Sequence, residues 1–282
     1  MIESKTGLHY YMPEAILQQL LKAKKRVKKG KSDRIFIVDG REGSGKSTLA
    51  QQLAYAVDDS FNLKRICFKW DEFHKKTRSL GKGKAIIFDE AHDGLSSKSV
   101  MSKQNKLLVQ LLMEVRQRNL FIFIVLPSLF LLEKYVAIFR SQCLFHVYTG
   151  KNDPKKRYYK IYNYQKKKIL YLLGKTFMDY NKPRVNKSYR FYKKLPITIN
   201  REGYDRLKLN AFKLYTKEEQ LNKIEASWKR KCVNLWHYMK NIDKKTQVEI
   251  ANIHKTYGDK VNRRYISECL THVTEDGSRQ LP

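Results

Sequence analysis

The chain has 282 residues, 42% of them hydrophobic and 12% aromatic, which is enough for one full α/β core with one or two small appendages and too much for a disordered chain. Lysine and arginine total 58 against 27 aspartates and glutamates, a formal net charge of +31. Part of that excess is solvated surface, but its size points to a polyanionic partner, nucleic acid ahead of an anionic membrane, because each contacted phosphate releases counterions.

Taken in chain order, Ile16, Leu17, Leu20 and Leu21 recur at helical spacing within Pro13–Lys29, and a basic tail ends that helix at Gly30. A regular alternation follows. Arg34–Val38 is an apolar strand, a glycine-rich turn comes next, and a helical pattern runs from Lys46 to Asp58. Arg65–Phe68 reads as a short strand and Asp71–Ser79 as a polar helix. Ala85–Phe88 is a third strand, and Ser102–Arg118 a helix with Leu107, Leu108, Leu111, Leu112 and Val115 on one face. Leu120–Leu126, Leu129–Phe139 and Cys143–Tyr148 complete the series as strand, helix and strand. Apolar strands without polar alternation, separated by helices, predict a five-stranded parallel sheet covered on both faces. The run Leu120–Leu132 is too short to span a bilayer and is broken by Pro127, so no stable membrane insertion is expected.

After Gly150 the texture changes. Arg157–Tyr164 and Ile169–Leu173 flank the polar run QKKK and predict a β-hairpin. Basic, tyrosine-rich sequence follows to residue 200; its tyrosines could stack on bases or pack a small sheet. Thr216–Lys240 reads as an amphipathic helix and Asp243–Glu275 as a last compact unit. The expected division is therefore a basic N-terminal helix (1–30), a core (31–150), a β-hairpin extension (151–215) and a helical linker with a terminal helical unit (216–282). Cys67, Cys143, Cys232 and Cys269 lie far apart without metal-binding spacing, and the N-terminus lacks the apolar stretch of a secretory leader. Both features fit a cytoplasmic protein with reduced thiols.

Residues 40–47, GREGSGKS, match G-x-x-x-x-G-K-[ST] between a predicted strand and a predicted helix, the context that gives this motif its meaning. Gly40, Arg41, Glu42, Gly43, Ser44 and Gly45 would wrap the β-phosphate with backbone N–H groups at a helix N-terminus, continuing into Thr48. Lys46 would neutralise β- and γ-phosphate oxygens, and the Ser47 hydroxyl would ligate Mg²⁺. In AIIFDE, Asp89 at the strand's end would hold Mg²⁺ through water, and Glu90 would polarise the attacking water. Helix capping is the alternative role for that acidic pair. The following "AH" does not make a DEAH-box helicase, which needs two such cores. Ser128, after Pro127, could touch the γ-phosphate or cap the next helix. Arg116, Arg118 and Arg140 could reach a neighbouring subunit's phosphate or act as helix-dipole partners.

The strand order and these motifs resemble the additional-strand P-loop ATPases, which include the RecA-like, AAA+ and FtsK/HerA-type motors. More specifically, the segment from Ile86 to Gly150 looks like the zonular-occludens-toxin-like ATPases, with the resemblance spanning residues 35–215. It implies that Lys46, Ser47, Asp89 and Glu90 carry ATP and Mg²⁺ chemistry. The chain departs from the membrane-anchored phage-assembly members in having no membrane-spanning run.

Residues 246–270 resemble a helix-turn-helix. Val248, Ile250 and Ala251 form an apolar face, Gly258 a turn, and Val261, Ile266 and Leu270 the spacing of a second helix. Asn262, Arg263, Arg264 and Tyr265 would then face DNA. The alternative is a helical pair used for packing or assembly. The expectation is an ATP-hydrolysing protein acting on DNA as a homo-oligomeric motor, packaging or remodelling enzyme. The competing reading is a DNA-bound switch that uses ATP without translocation.

Overall fold

The apolar runs pair as strands because each is buried on both faces, so only neighbouring strands can take their backbone N–H and C=O groups. The computed structural model describes residues 8–30, 32–89, 98–241, 243–256 and 263–271. Two compact units result, Met1–Ala211 and Phe212–Pro282. Among the described residues no helix is long and apolar enough to cross a membrane.

In the first unit the order is α1 (Glu14–Lys29), β1 (Arg34–Gly40), α2 (Lys46–Val57), β2 (Ile66–Cys67), α3 (Trp70–Ser79), β3 (Ala85–Asp89), α4 (Lys98–Glu114), β4 (Phe121–Val125), β5 (Ser141–Thr149), β6 (Arg157–Tyr162), α5 (Tyr164–Gly174) and β7 (Ser188–Phe191). The sheet has seven strands in the order β2-β3-β4-β1-β5-β6-β7. The first five positions pair in parallel, while β6 and β7 are antiparallel, so the sheet is mixed and not the five-stranded parallel sheet expected.

Alternate residues of each strand feed opposite layers. Phe36, Val38, Ile87, Phe121, Phe123 and Val125 meet α1 and α2 through Ile16, Leu20, Leu49 and Leu53. Ile35, Ile37, Ile86, Phe88, Ile122 and Ile124 face Phe73 of α3, Leu108 and Leu112 of α4, and Leu170 of α5. A fully buried leucine contributes about 2 kcal/mol, so the two layers are the fold's main support.

Three local expectations change. The predicted hairpin partner Ile169–Leu173 lies in α5, because Asn163 caps that helix: its side chain accepts from Lys166 N at 3.0 Å, turning QKKK into a first helical turn. β6 instead pairs with β5 and β7. The predicted helix Leu129–Phe139 splits into a 3₁₀ turn, Leu129–Leu131, and a π-helical turn, Tyr135–Arg140. Its freed carbonyls are taken by the fully buried Lys167, whose ammonium donates to Ile138 O at 3.0 Å, Ser141 O at 2.9 Å and Ala137 O. Finally, the helix expected over Thr216–Lys240 begins earlier, as α6, Arg201–Asn241.

In the second unit Val233, Trp236, Ile250, Ile266 and Leu270 form a small core from α6, α7 (Gln247–Thr256) and α8 (Arg263–Thr271). A reciprocal capping box starts α7. Thr246 N donates to Glu249 Oε2 at 2.7 Å, and Glu249 N donates to Thr246 Oγ1 at 3.3 Å.

Burial pushes the Lys167 ammonium down to about 8 from 10.5. The folded chain therefore releases this proton before the unfolded chain does, and the burial cost, constant below pH 8, is relieved as pH rises toward 10.5. Other groups change stability over the same range, so the comparison must be with a variant. Denaturant titrations should show wild type gaining roughly 2–3 kcal/mol relative to Lys167→Met between pH 8 and 10.5. Parallel pH profiles for the two chains would contradict this.

Candidate phosphate-binding site

Parallel pairing brings the C-terminal ends of β1, β3 and β4 to one edge of the sheet. Val38 and Asp89 both register with Val125, and Gly40 N donates to Pro127 O at 3.3 Å. β1 and β3 flank β4, so their ends stand about 10 Å apart, a span suited to a phosphate chain with its cation. The loop 40–45 leaves β1 and enters α2, whose N-cap, Gly45, provides no side-chain cap. The N–H groups of that first turn thus keep their donor capacity at the positive end of the helix.

Two glycines are required here. A Cβ on Gly40 would lie 2.1 Å from the Val147 carbonyl oxygen, and φ is +138°. Gly45, at φ +100°, would press a Cβ to 3.0 Å from Arg157 and 3.2 Å from Phe191. Lys46 is buried, and its ammonium donates to Gly40 O at 2.8 Å and Arg41 O at 3.0 Å. Burial pushes its pKa down, opposed by the carboxylates of Asp89, Glu42 and Asp39. Ser44 and Thr48 are buried in the loop and first turn, while Arg41, Glu42 and Gly43 are exposed.

Asp89 is fully buried at the end of β3. Its Oδ2 accepts from the Tyr204 hydroxyl at 3.2 Å, and its Oδ1 has no hydrogen-bond partner among the described residues. An orphaned buried carboxylate oxygen at the end of β3 suits a hydrated divalent cation. Among the described residues no cluster of three His, Cys, Asp or Glu could hold a metal, so remaining ligands would come from nucleotide oxygens and water. Glu90 lies outside the described residues.

Ser128 both caps and connects. Its Oγ accepts from Phe130 N at 3.4 Å and shares a hydrogen bond with the Tyr180 hydroxyl at 2.9 Å. Tyr180 also donates to Asp39, whose carboxylate takes Leu129 N at 2.8 Å and meets His146 Nδ1 at 2.8 Å. Burial, then the Asp39 charge, hold the Tyr180 phenol well above its ordinary range. The Tyr180 ring stacks on His146 at 4.0 Å.

Arg140 sits elsewhere, at the opposite end of the strands. It pairs with Asp33 Oδ2 at 2.6 Å, immediately before β1, and donates to Leu112 O at 2.7 Å. Arg116 and Arg118, in the 3₁₀ turn Val115–Arg118 that precedes β4, are exposed at that same far end. The structure does not bring these three arginines to the loop of their own chain. In the second unit Arg264 is exposed and Tyr265 packs edge-on against Trp236 at 6.1 Å. Arg263 opens α8, and Asn262 lies outside the described residues.

Asp39, His146, Tyr180, Tyr204 and Arg157 are the site-facing residues that sequence reasoning missed. Arg157, on β6, lays its guanidinium along the loop, with Nη2 3.4 Å from Gly43 O and a buried Nε that has no partner among the described residues. Only Asp39 carried a sequence signal, an acid ending an apolar strand.

The fold and site together are those of an α/β chain with a phosphate-loop-like turn between its central strand and following helix. No family model matches the chain, and no curated protein matches it. Among solved structures it is remotely similar to the N-terminal domain of zonular occludens toxin from Neisseria meningitidis, with 16% identity over 62% of this chain and 98% of that one and a TM-score of 0.35. A second remote similarity is to the flagellar accessory protein FlaH from Methanocaldococcus jannaschii, with 16% identity over 57% of this chain and 90% of that one and a TM-score of 0.27.

The Asp39 carboxylate joins Leu129, His146 and Tyr180 without exposure to water. Asp39→Asn should cost about 1–3 kcal/mol of stability, since an amide replaces charge-assisted hydrogen bonds with neutral ones and leaves one oxygen to accept where two did. Urea denaturation measures it; an unchanged midpoint would mean that the network contributes nothing.

Proposed function

We propose that this chain binds ATP with magnesium at Gly40–Ser47, hydrolyses it, and acts on DNA as an oligomeric motor, packaging or remodelling ATPase. The observation that carries the reading is Lys46. Its buried ammonium is held by two loop carbonyls at the start of an uncapped helix, with the orphaned Asp89 oxygen nearby. Such a lysine can exchange carbonyl partners for β- and γ-phosphate oxygens without crossing the site.

In this reading the backbone of Gly40, Arg41, Glu42, Gly43, Ser44 and Gly45 cradles the phosphates, with Thr48 following in the first turn. Ser47 ligates magnesium and Asp89 holds its water shell. Glu90 takes the proton of the attacking water, a role inferred from its place after Asp89. Ser128, tied to Tyr180 and Asp39, meets the γ-phosphate or the attacking water. Arg157 contacts the phosphates from the β6 side. Arg116 and Arg118 are available only to a neighbouring subunit, and Arg140 is committed to Asp33.

The chain's charge of +31 supports a nucleic-acid partner. Arg263 and Arg264 at the start of α8, with Asn262 before them in sequence, are the proposed DNA contacts, together with Tyr265.

Steady-state ATP turnover, with and without duplex or single-stranded DNA over a salt series, tests the reading. Lys46→Ala should lose nucleotide binding while keeping its fold, and Glu90→Gln should keep magnesium–ATP binding but slow turnover at least about 100-fold, as expected on losing a general base. Wild-type turnover in purified Lys46→Ala would end the ATPase assignment. Turnover without movement along DNA would favour the switch over the motor.

For DNA binding, Arg263→Ala combined with Arg264→Ala should weaken duplex affinity and reduce the slope of log affinity against log salt by about 2, near one for each phosphate no longer neutralised. Basal ATP turnover should remain, because the nucleotide residues all precede residue 212. Overlaying salt plots would reduce α8 to a packing element.

A further inference from the structure

The first turns of α6 lie over the metal side of the phosphate loop. Tyr204 is 5% exposed, and its hydroxyl lies at the residues assigned above to magnesium. It donates to Asp89 Oδ2 at 3.2 Å, and Ser47 is close enough to act on it electrostatically. The phenol therefore takes up a carboxylate oxygen that a hydrated cation held by Asp89 would need. Asp89 Oδ1 stays unsatisfied because one hydroxyl proton cannot serve both carboxylate oxygens.

Tyr204 did not arrive there by a loose surface contact. Tyr204 N donates to Asn200 O at 3.0 Å, and Glu202 N donates to the Asn200 side chain at 3.0 Å, so the helix start is capped. The preceding strap is bound to the core. Gln52, on α2, donates to Tyr192 O at 2.8 Å and Lys194 O at 2.7 Å, and Thr198 donates to Phe61 O at 2.5 Å. Gly203 closes against Leu63, whose Cδ1 would be 2.8 Å from an added Cβ, and the Tyr204 ring lies 6.0 Å from that of Phe68. One hydrogen bond to the Asp89 carboxylate holds the hydroxyl at the site, whereas a divalent cation would set two full charges opposite that same carboxylate.

We propose that Tyr204 is a positioning residue whose hydroxyl holds the Asp89 carboxylate at the magnesium position and is displaced from it when magnesium–nucleotide binds. The inference rests on the reading of Ser47 and Asp89 as the magnesium residues. It adds that entry of the metal competes with an internal hydroxyl, so metal-bound nucleotide meets a penalty that metal-free nucleotide does not.

The test is equilibrium binding of a non-hydrolysable ATP analogue to the full chain and to Tyr204→Phe, each with magnesium and with EDTA. Phenylalanine keeps the ring beside Phe68 and removes only the competing hydroxyl. The variant should bind the magnesium form about three- to tenfold more tightly, the value of one modest hydrogen bond, and the metal-free form unchanged. Equal or weaker binding of the magnesium form by the variant overturns the inference while leaving the nucleotide site intact. Failure of both chains to bind the analogue overturns the inference and the nucleotide assignment together. A second measurement needs no variant. Backbone hydrogen exchange in residues 201–211 of wild type should accelerate with magnesium–analogue and not with analogue in EDTA; equal rates in the two conditions count against displacement.

Discussion

Parallel pairing of β1 between β4 and β5 governs most of what this molecule can do. In a parallel sheet every strand presents its C-terminal end at the same edge, so the polar residues that end the apolar runs are collected without any long-range design. Asp39, Gly40, Asp89 and Ser128 come from three strands far apart in sequence and meet there for that reason. The loop then turns directly into α2, putting a helix N-terminus beside those carboxylates. The cost of assembling two buried acids is offset by hydrogen bonds to Asp39 and by the Lys46 charge near both.

The opposite edge of the sheet has a different electrostatic character. There Asp33 meets Arg140, and Asp58 accepts Ala85 N at 2.9 Å while pairing with Arg65. These charges are matched within the chain and tie strand starts to helix ends. Lys167 is the counterexample, a buried cation satisfied by carbonyls and a hydroxyl, and it holds the π-helical turn that delivers the chain into β5. A site of unmatched polar groups thus sits at one edge and a stabilising set of matched ones at the other.

The five core strands were legible because each is a short, uninterrupted apolar run, and the loop because its glycine and lysine spacing has a direct backbone meaning. What escaped reading depended on tertiary packing. The run Ile169–Leu173 is short and apolar enough for a strand, and only the Asn163 cap and the burial of Leu170 and Tyr171 make it helical. The antiparallel strands β6 and β7 are separated by a helix and an irregular segment, so local pattern could not pair them. In the site, Lys46 and Asp89 were readable from motif and strand end. Tyr204 was not, since 115 residues separate it from the carboxylate it touches and no local signal distinguishes it from the chain's other tyrosines. Arg140 was misleading for the complementary reason: its position before β5 was clear, but its commitment to Asp33 needed the register of the folded sheet.

The walls of the phosphate loop set the limits of what could be excised. Gly45 is pressed by Arg157 and Phe191, and Ser47 by Tyr204, all from sequence beyond residue 150. The strand–helix alternation that ends near Gly150 looks self-sufficient on paper, yet excising it would strip the loop on two sides and expose Asp89 to solvent. Exchanging the later strands or the start of α6 would therefore remodel the surroundings of the loop along with them. The structural unit is the whole stretch to Ala211, and changes in its later third are as able to retune the loop as changes in the loop itself.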